Sequence, residues 1–354
     1  MTMSLKAQGL QSHVQRKTSH CLLFTFSCLM GIFLLSCSPP KEQVYRKSMV
    51  LMDTLVAITV VTDSADRAEK AMDRAFTEIG KLDTLLNFFS EKSELSIINR
   101  NAGLSEVRVS PETMEVVEKA IEISEKTGGA FDVTIGPEIS QWNFSLKIKP
   151  EDESIKRRLG LVNYKLIQLD KARSTVYLKG KGMIMDLGGI AKGYAADKAV
   201  EELKKNGITS GLVAVAGDVK AFGRKPGGKG WTVGIKNPRS TEKSDEIMAT
   251  VELSDAAIST SGDYQRYFIL DGKRFHHILD PKTGYPAEGC QSVSIIAGDG
   301  VYADAFSTGV FVLGPEKGIE LLQKMGFEGL IVDKDGVIHT TPGLKGKIEF
   351  TTNH

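Results

Sequence analysis

Hydrophobic residues recur at helical spacing in several stretches of the chain, and each stretch predicts an amphipathic helix. The clearest covers residues 64–87, where Ser64 would be the N-cap and the apolar positions are Ala68, Ala71, Met72, Ala75, Phe76, Ile79, Leu82, Leu85 and Leu86. Further helices are predicted over 93–99, 110–127 and 302–312. Each of these helices needs a partner element against which to bury its apolar face.

Strands are predicted where Val, Ile and Thr alternate with polar residues or form short apolar runs. The first would cover residues 49–62, and others are expected at 183–185, 211–222, 231–235, 249–253 and 292–297. Hairpin turns are predicted at Asp170-Lys171, Asp271-Gly272 and Asp335-Gly336. Helices and strands mix without strict βαβ alternation, so the predicted class is α+β. We expect one large mixed domain, with two intimately packed α/β halves as the alternative.

One glycine-rich stretch links a predicted strand to a predicted helix. Residues 188–197 read G-G-I-A-K-G-Y-A-A-D, and they follow the apolar residues 183–185 through Asp186. Paired glycines let a ligand approach the backbone, and a helix N-terminus favours an anion. The stretch fits neither the P-loop nor the Rossmann pattern. It predicts a phosphate-binding turn that carries Lys192, and an ordinary tight strand-to-helix turn is the alternative.

Composition and charge narrow the class of protein. The chain has 354 residues, of which 41% are hydrophobic and 25% charged, as in ordinary globular proteins. Its net charge of +1 does not indicate the basic surface that nucleic-acid binding requires. No internal run is long and apolar enough to predict a membrane span.

The N-terminus resembles a bacterial lipoprotein signal. Basic residues precede the apolar run 21–35, and Leu34-Leu35-Ser36 leads to Cys37. We expect residues 1–36 to be the signal peptide, Cys37 to be lipidated, residues 38–48 to be a polar tether, and the folded domain to cover 49–354. An ordinary signal peptide or an uncleaved anchor are the alternatives. Cys290 would then be the only free thiol, which excludes a disulfide framework within the chain.

Four further clusters could carry chemistry. Asp304 and Thr308 are four residues apart on a predicted helix, so both could face one Mg²⁺ ion; a helix-start Asp and a Thr bonded to its own turn are the alternative. His276 and His277 could be acid–base groups or incidental loop histidines. Asp132 lies in A-F-D-V-T-I-G-P, and residues 260–264 read T-S-G-D-Y. Either of these two could be a structural turn.

Taken together and in order, these motifs resemble the ApbE family, the bacterial FAD:protein FMN transferases. The matching stretches are 52–54 (M-D-T), 89–90 with 93–99, 128–137 (G-G-A-F-D-V-T-I-G-P), 186–197 (D-L-G-G-I-A-K-G-Y-A-A-D), 260–264, 277–286 (H-I-L-D-P-K-T-G-Y-P) and 303–308 (A-D-A-F-S-T). The resemblance implies FAD as substrate, Mg²⁺ as cofactor, and transfer of FMN to a threonine or serine of a partner protein with release of AMP.

The resemblance also implies a role for individual residues. Asp304, Thr308 and the carbonyl of Gly189 would hold Mg²⁺, and His277 would be the general base. FAD would contact Lys192 and Asp186 and be lined by Met52, Phe89, Ala130, Phe131, Asp132 and Ile278. The family usually has M-G-T at its first motif, whereas this chain has Asp53 in place of the glycine, which puts the backbone contact there in question.

The resemblance implies a partner and a location as well. The acceptor would be a membrane or secreted electron-transfer protein, and the enzyme would be lipid-anchored in the cell envelope, facing the periplasm or exterior. Two other functions are compatible with the same residues: an FAD pyrophosphatase that gives FMN and AMP, and a non-enzymatic FAD-binding lipoprotein. A mere flavin carrier would have no need of the Asp304 and Thr308 pair.

Overall fold

Three of the helices begin at serine caps. The structure is a computed structural model that describes residues 42–240 and 246–351. Ser64, Ser93 and Ser110 each accept a hydrogen bond from a backbone N–H in the first turn, which satisfies a donor that has no partner within the helix. In chain order the helices of the described residues are α1 (Ala65–Leu86), α2 (Glu94–Arg100), α3 (Pro111–Lys126), α4 (Gly136–Ile139), α5 (Asp152–Leu159), α6 (Ala191–Lys205), α7 (Gly300–Leu313) and α8 (Pro315–Met325).

The strands of the described residues form one large antiparallel sheet and three smaller ones. They are β1 (Gln43–Leu51), β2 (Thr54–Thr62), β3 (Val107–Arg108), β4 (Ile167–Asp170), β5 (Thr175–Leu178), β6 (Ser210–Val215), β7 (Asp218–Phe222), β8 (Trp231–Lys236), β9 (Ile247–Leu253), β10 (Ala256–Gly262), β11 (Tyr267–Leu270), β12 (Lys273–His276), β13 (Cys290–Ala297), β14 (Glu328–Asp333), β15 (Ile338–Thr340) and β16 (Ile348–Phe350). The large sheet has the order β1-β2-β6-β7-β10-β13-β14-β15. The smaller sheets are β16-β9-β8, β3-β5-β4 and the hairpin β11-β12.

The two faces of the large sheet bury different layers. Side chains such as Ile58 and Val293 contribute to the main core together with residues of α1, α6 and α7. Their neighbours on the opposite face, such as Val61 and Ile258, pack with the small sheet that contains β8 and β9. This alternation follows from the two-residue period of a strand. The α+β class is confirmed, and the described residues form one compact unit rather than two halves.

The predicted first strand is a hairpin. Residues 49–62 belong to two antiparallel strands, with Leu51 opposite Thr54 and a two-residue turn at Met52-Asp53. Both turn residues have positive φ, 53° and 55°, as a hairpin of this length requires. Because Asp tolerates the left-handed region better than most residues, it can stand where the family usually has glycine.

Two other strand predictions are corrected. Residues 211–222 are two strands, β6 and β7, since the chain turns at Ala216-Gly217 and Ala216 has φ of 61°. Residues 183–185 form no regular strand; one isolated bridge joins Ile184 to Ile135. This segment is held instead by the side-chain amide of Asn99, which bonds to both the N–H and the carbonyl of Met185 at 2.7 and 2.9 Å.

The boundary between tether and domain lies earlier than predicted. Residues 43–48, assigned to the tether, are part of β1 and pair with β2. The predicted signal peptide, Cys37 and the start of the tether lie outside the described residues. Over the part of the chain that the structure describes, no helix combines the length and the hydrophobicity needed to cross a membrane.

Candidate active site

The site forms where α6 and α7 cross without side chains between them. A Cβ on Gly193 would lie 2.1 Å from the carbonyl oxygen of Gly300 and 2.7 Å from Cβ of Asp304. This close approach lets the Gly193 N–H donate a 2.9 Å hydrogen bond to Oδ2 of Asp304. Asp197 fixes the start of α7, since its carboxylate accepts hydrogen bonds from the N–H groups of Gly300 and Val301. The crossing therefore buries the Asp304 carboxylate at a set position.

Lys192 provides the positive charge beside Asp304. Its ammonium lies 3.5 Å from Oδ1 of Asp304 and 3.4 Å from Oδ2 of Asp218, and it donates a 3.0 Å hydrogen bond to the carbonyl of Gly188. Asp218 is the first residue of β7 and was not singled out from the sequence. The only local sequence signal for a role of Asp218 is its position in A-G-D-V, directly after a turn that the strand prediction missed.

Both charged groups of this pair have shifted pKa values. Burial raises the pKa of Asp304 to about 6, against the opposing charge of Lys192. For Lys192, burial lowers the pKa but the carboxylates of Asp304 and Asp218 raise it more, so the net shift is upward. The lysine is therefore a permanent cation at neutral pH.

Thr308 lies one turn after Asp304 and faces Gly189. A Cβ on Gly189 would be 3.4 Å from Oγ1 of Thr308 and 3.3 Å from the ring of Phe131, so glycine leaves room between them. The Thr308 hydroxyl is 3.0 Å from the Ser261 hydroxyl, which was read from the sequence as part of a turn but lies in β10. The structure thus brings Asp304, Thr308, Gly189 and Lys192 together from α6, α7 and the loop before α6.

These groups offer oxygen ligands of the kind that Mg²⁺ prefers. One carboxylate, one hydroxyl and the open cradle at Gly189 fit a hard cation that also takes oxygens from a substrate and from water. Within residues 42–240 and 246–351 there is no group of three or more His, Cys, Asp or Glu side chains suited to a metal. A metal site here would therefore depend on the hydroxyl and on backbone oxygen.

His277 has an unpaired nitrogen in a strongly cationic environment. Its Nδ1 is buried without a hydrogen-bond partner among the described residues. Burial, together with the charge of Arg266, lowers its pKa to about 3. His277 is therefore neutral at physiological pH, and its Nδ1 is open to a hydrogen-bond donor. Arg266 is exposed and was not singled out from the sequence.

Asp186 faces the same region. Its Oδ1 accepts a 2.7 Å hydrogen bond from the Gly188 N–H, which shapes the turn before α6. Burial raises its pKa, and the nearby charges of Arg266 and Lys192 oppose that shift. One carboxylate oxygen is thus committed to the turn.

The predicted lining residues divide into two groups. Phe131 is buried beside Gly189, with Ala130 buried next to it and Ile278 buried after His277. For Met52 and Phe89 the structure shows other contacts, and their place beside FAD stays a prediction. The Met52 N–H donates to Asp83, and Phe89 is 79% exposed and packs edge-on against Phe88.

The Asp132 carboxylate makes several hydrogen bonds within the protein. Its Oδ1 accepts hydrogen bonds from the N–H and hydroxyl of Thr134, at 2.8 and 2.6 Å. Its Oδ2 accepts a 3.0 Å bond from the Tyr164 N–H, and Thr134 in turn accepts one from the Asn163 N–H. The carboxylate therefore holds two loops together, as the structural-turn alternative expects, and its contact with FAD stays a prediction.

A separate cavity of about 250 Å³ contains none of the residues to which the family resemblance assigns a role. Its lining includes Arg239, Asp263, Arg274, His276 and Cys290. Arg239 makes two 2.7 Å bonds to the Asp263 carboxylate. Arg274 lies 3.8 Å from the same carboxylate, so the two arginines share Asp263 as their partner.

Comparison with known proteins is consistent across sequence and structure. The model of the ApbE family matches residues 52–331. Among curated proteins, the FAD:protein FMN transferase of Treponema pallidum is 33% identical over 86% of this chain and 88% of its own length, and that of Salmonella typhimurium is 32% identical over 87% and 92%.

Solved structures agree. The crystal structure of the ApbE protein from Thermotoga maritima superposes with a TM-score of 0.80 at 35% identity, covering 86% of this chain and 99% of that one. The flavinyl transferase ApbE of Pseudomonas stutzeri gives 0.77 at 30% identity, covering 88% and 98%. The family model covers most of the chain and includes Gly189, Lys192, Asp304 and Thr308 of the cluster described above. The chain belongs to the ApbE family.

Proposed function

We propose that this protein is an enzyme that transfers FMN from FAD to a hydroxyl group of a partner protein. Relatives of similar length carry the name FAD:protein FMN transferase. The observation that carries the proposal is the cluster of Lys192, Asp304, Thr308 and Gly189, which places a permanent cation and oxygen ligands at one point. A pyrophosphate group, which is a polyanion, matches that chemistry.

The reaction replaces one phosphorus–oxygen bond by another. A threonine or serine oxygen of the acceptor forms a bond to the phosphorus of the FMN half, and the bond from that phosphorus to the bridging oxygen breaks, releasing AMP. The proton of the hydroxyl passes to Nδ1 of His277, which is neutral and has no partner within the described residues. A positioned base of this kind contributes roughly 10²–10⁴-fold to the rate.

The remaining residues bind and orient the pyrophosphate. Lys192 would contact a phosphate oxygen while held by the Gly188 carbonyl, and Asp186 would bind a hydroxyl or amine of FAD. Asp304, Thr308 and Gly189 would hold Mg²⁺, which when bound neutralises phosphate charge and polarises the phosphoryl group. Phe131 closes the site from the side of Gly189.

Incubation with FAD, Mg²⁺ and a candidate acceptor tests the proposal. The acceptor should gain the mass of one FMN and a flavin fluorescence that survives denaturation. Asp304→Ala should slow this transfer by about 10³-fold or more, because the metal's contribution of several kcal/mol would be lost. Asp66→Ala, which removes an exposed carboxylate of α1, is the control. Accumulation of free FMN and AMP with an unlabelled acceptor would instead establish a pyrophosphatase, and FAD that stays bound and unchanged would establish a flavin carrier.

The same proposal includes a place and a partner. The lipoprotein-type sequence around Cys37 would hold the enzyme on a membrane of the cell envelope, facing the periplasm or exterior. An acceptor reached from there would be a secreted or membrane electron-transfer protein, where a covalently attached flavin cannot be lost by diffusion.

A further inference from the structure

Asp218 is a buried carboxylate to which the proposed reaction gives no role. It follows the turn at Ala216-Gly217, and its side chain is 8% exposed. The Ser259 hydroxyl of the neighbouring strand β10 donates a short hydrogen bond to its Oδ1. Its other oxygen, Oδ2, has no hydrogen-bond partner among the described residues and faces the Lys192 ammonium at 3.4 Å. Ser259 thus fixes the carboxylate with one oxygen pointing at the lysine.

The Lys192 ammonium is shared between two carboxylates. It lies at nearly equal distances from Asp304 and Asp218, 3.5 and 3.4 Å. Buried charges of this kind require partners, since removing one leaves an uncompensated charge. With two counter-ions, the lysine can lose its contact with one and remain paired with the other.

The Asp304 oxygen without a backbone hydrogen bond is the one nearest the lysine. The Gly193 N–H occupies Oδ2, whereas Oδ1 faces Lys192. A divalent cation at Asp304 and the ammonium would therefore compete for Oδ1. A second carboxylate that holds the ammonium away from Oδ1 would therefore raise the affinity of Asp304 for the metal.

We infer that Asp218, fixed by Ser259, is a positioning residue that holds the Lys192 ammonium so that Asp304 can accept the divalent cation. The inference rests on the proposed function of this site. It assigns to Asp218 an action through Lys192 rather than a contact with metal or FAD. Without Asp218, the ammonium would pair with Asp304 alone and resist displacement by the metal.

A double-mutant cycle on Mg²⁺ affinity, measured by calorimetry without FAD, tests this. In the protein that retains Lys192, Asp218→Asn should weaken Mg²⁺ binding by about tenfold or more. With Lys192→Met the competing ammonium is absent, so the same change should lower Mg²⁺ affinity by less than about threefold. That smaller loss would come from the long-range attraction between Asp218 and the metal. Equal losses in both backgrounds would overturn the inference, because Asp218 would then act on the metal directly.

Two further variants guard against trivial explanations. Ser259→Ala keeps the charge but frees the carboxylate, and it should weaken Mg²⁺ binding in the same direction by a smaller factor; no change would count against the inference. Asp299→Asn removes an exposed carboxylate at the start of α7, near Lys220 instead of Lys192, and should leave the affinity unchanged. Transfer to the acceptor is assayed separately on the unmodified enzyme. If Mg²⁺ binds but the effects of Asp218→Asn and Lys192→Met are independent, only this inference is refuted. Failure to transfer FMN refutes the proposed function.

Discussion

The adjacent residues His276 and His277 have opposite environments because they follow one another at the end of a strand. Successive side chains of a strand point to opposite faces. His276 is buried, with Nε2 2.8 Å from the carbonyl of Ala287 and Nδ1 accepting from the N–H of Ile278 at 3.3 Å. Both of its nitrogens are therefore committed to holding the loop that follows. His277 has a free Nδ1 and is the only one of the two that can take part in proton transfer.

Replacement of each histidine should separate chemistry from stability. His277→Ala should lower kcat for transfer by roughly 10²–10⁴-fold, with FAD affinity changed much less, because only the proton acceptor is removed. His276→Ala should instead lower the melting temperature, since two buried hydrogen bonds and an edge-on contact with Phe311 are lost. Steady-state kinetics and thermal unfolding of the two variants check this. A kcat loss of equal size in both would contradict the division of roles.

Glu138 is a second residue whose charge is governed by burial. Its side chain in α4 is inaccessible to solvent, Oε2 accepts from Gln141 at 2.8 Å, and Oε1 has no partner among the described residues. Burial raises its pKa to about 7, against the opposing charge of Arg158. The folded protein therefore holds this proton up to about pH 7, whereas the unfolded chain releases it near its ordinary value of 4.5.

This difference predicts a pH-dependent effect of Glu138→Gln. The folded state binds the extra proton between these two pKa values, so stability falls as pH rises through that window and levels off above pH 7. The amide cannot ionise, so the variant should be more stable than the parent at pH 8 by about 3 kcal/mol and nearly equal to it at pH 4. Urea unfolding at both pH values measures this, with the exposed Glu151→Gln as control. A gain of the same size at both pH values would refute the argument.

At the scale of elements, the crossing of α6 and α7 decides where the site lies. Gly193 and Gly300 let the two helices approach until backbone touches backbone. The Asp304 carboxylate reaches the Gly193 N–H only because of this distance. The glycines at this helix crossing therefore determine the position of the Asp304 carboxylate as well as the packing of the two helices.

Gly193→Ala should therefore damage both the fold and the metal site. Its Cβ would overlap the Gly300 carbonyl at 2.1 Å, so the helices must separate. Overpacking of this kind costs about 1–3 kcal/mol or more, and Mg²⁺ affinity should fall with it as Asp304 moves. Gly160→Ala, at the end of α5 where an added Cβ would meet no atom within 4 Å, is the matched control and should change neither. Thermal unfolding and Mg²⁺ titration of the two variants provide the comparison.

The sequence predicted elements well where local signals were strong. Serine caps located α1, α2 and α3 to within a residue or two, and Asp271-Gly272 located the β11–β12 hairpin. The turns at Met52-Asp53 and Ala216-Gly217 were missed because strand-forming residues continue on both sides and most of these turn residues lack the usual glycine. Asp218 was missed for a different reason: its role appears only when Lys192 and Ser259 reach it from other elements.

At the scale of the whole molecule, the site depends on residues brought together by the sheet. Gly193 and Asp304 are 111 positions apart, and Ser261 meets Thr308 across the contact of β10 with α7. Local sequence patterns identify the individual motifs but do not predict which motifs are in contact. Their order along the chain suggested one site, and the antiparallel sheet with helices on one face provides the physical reason.

The N-terminal sequence makes a prediction about the whole protein in the cell. If Cys37 is lipidated, the mature chain should begin at that residue and incorporate labelled palmitate, because multiple acyl chains, at roughly 0.8 kcal/mol per buried CH₂, anchor a protein stably. Cys37→Ser should abolish the label. Mass spectrometry of the membrane fraction then distinguishes the alternatives: a full-length chain in the unmodified protein would establish an uncleaved anchor, and cleavage without lipid an ordinary signal peptide. Cys290→Ser should leave the label in place, since that thiol is buried within the folded domain.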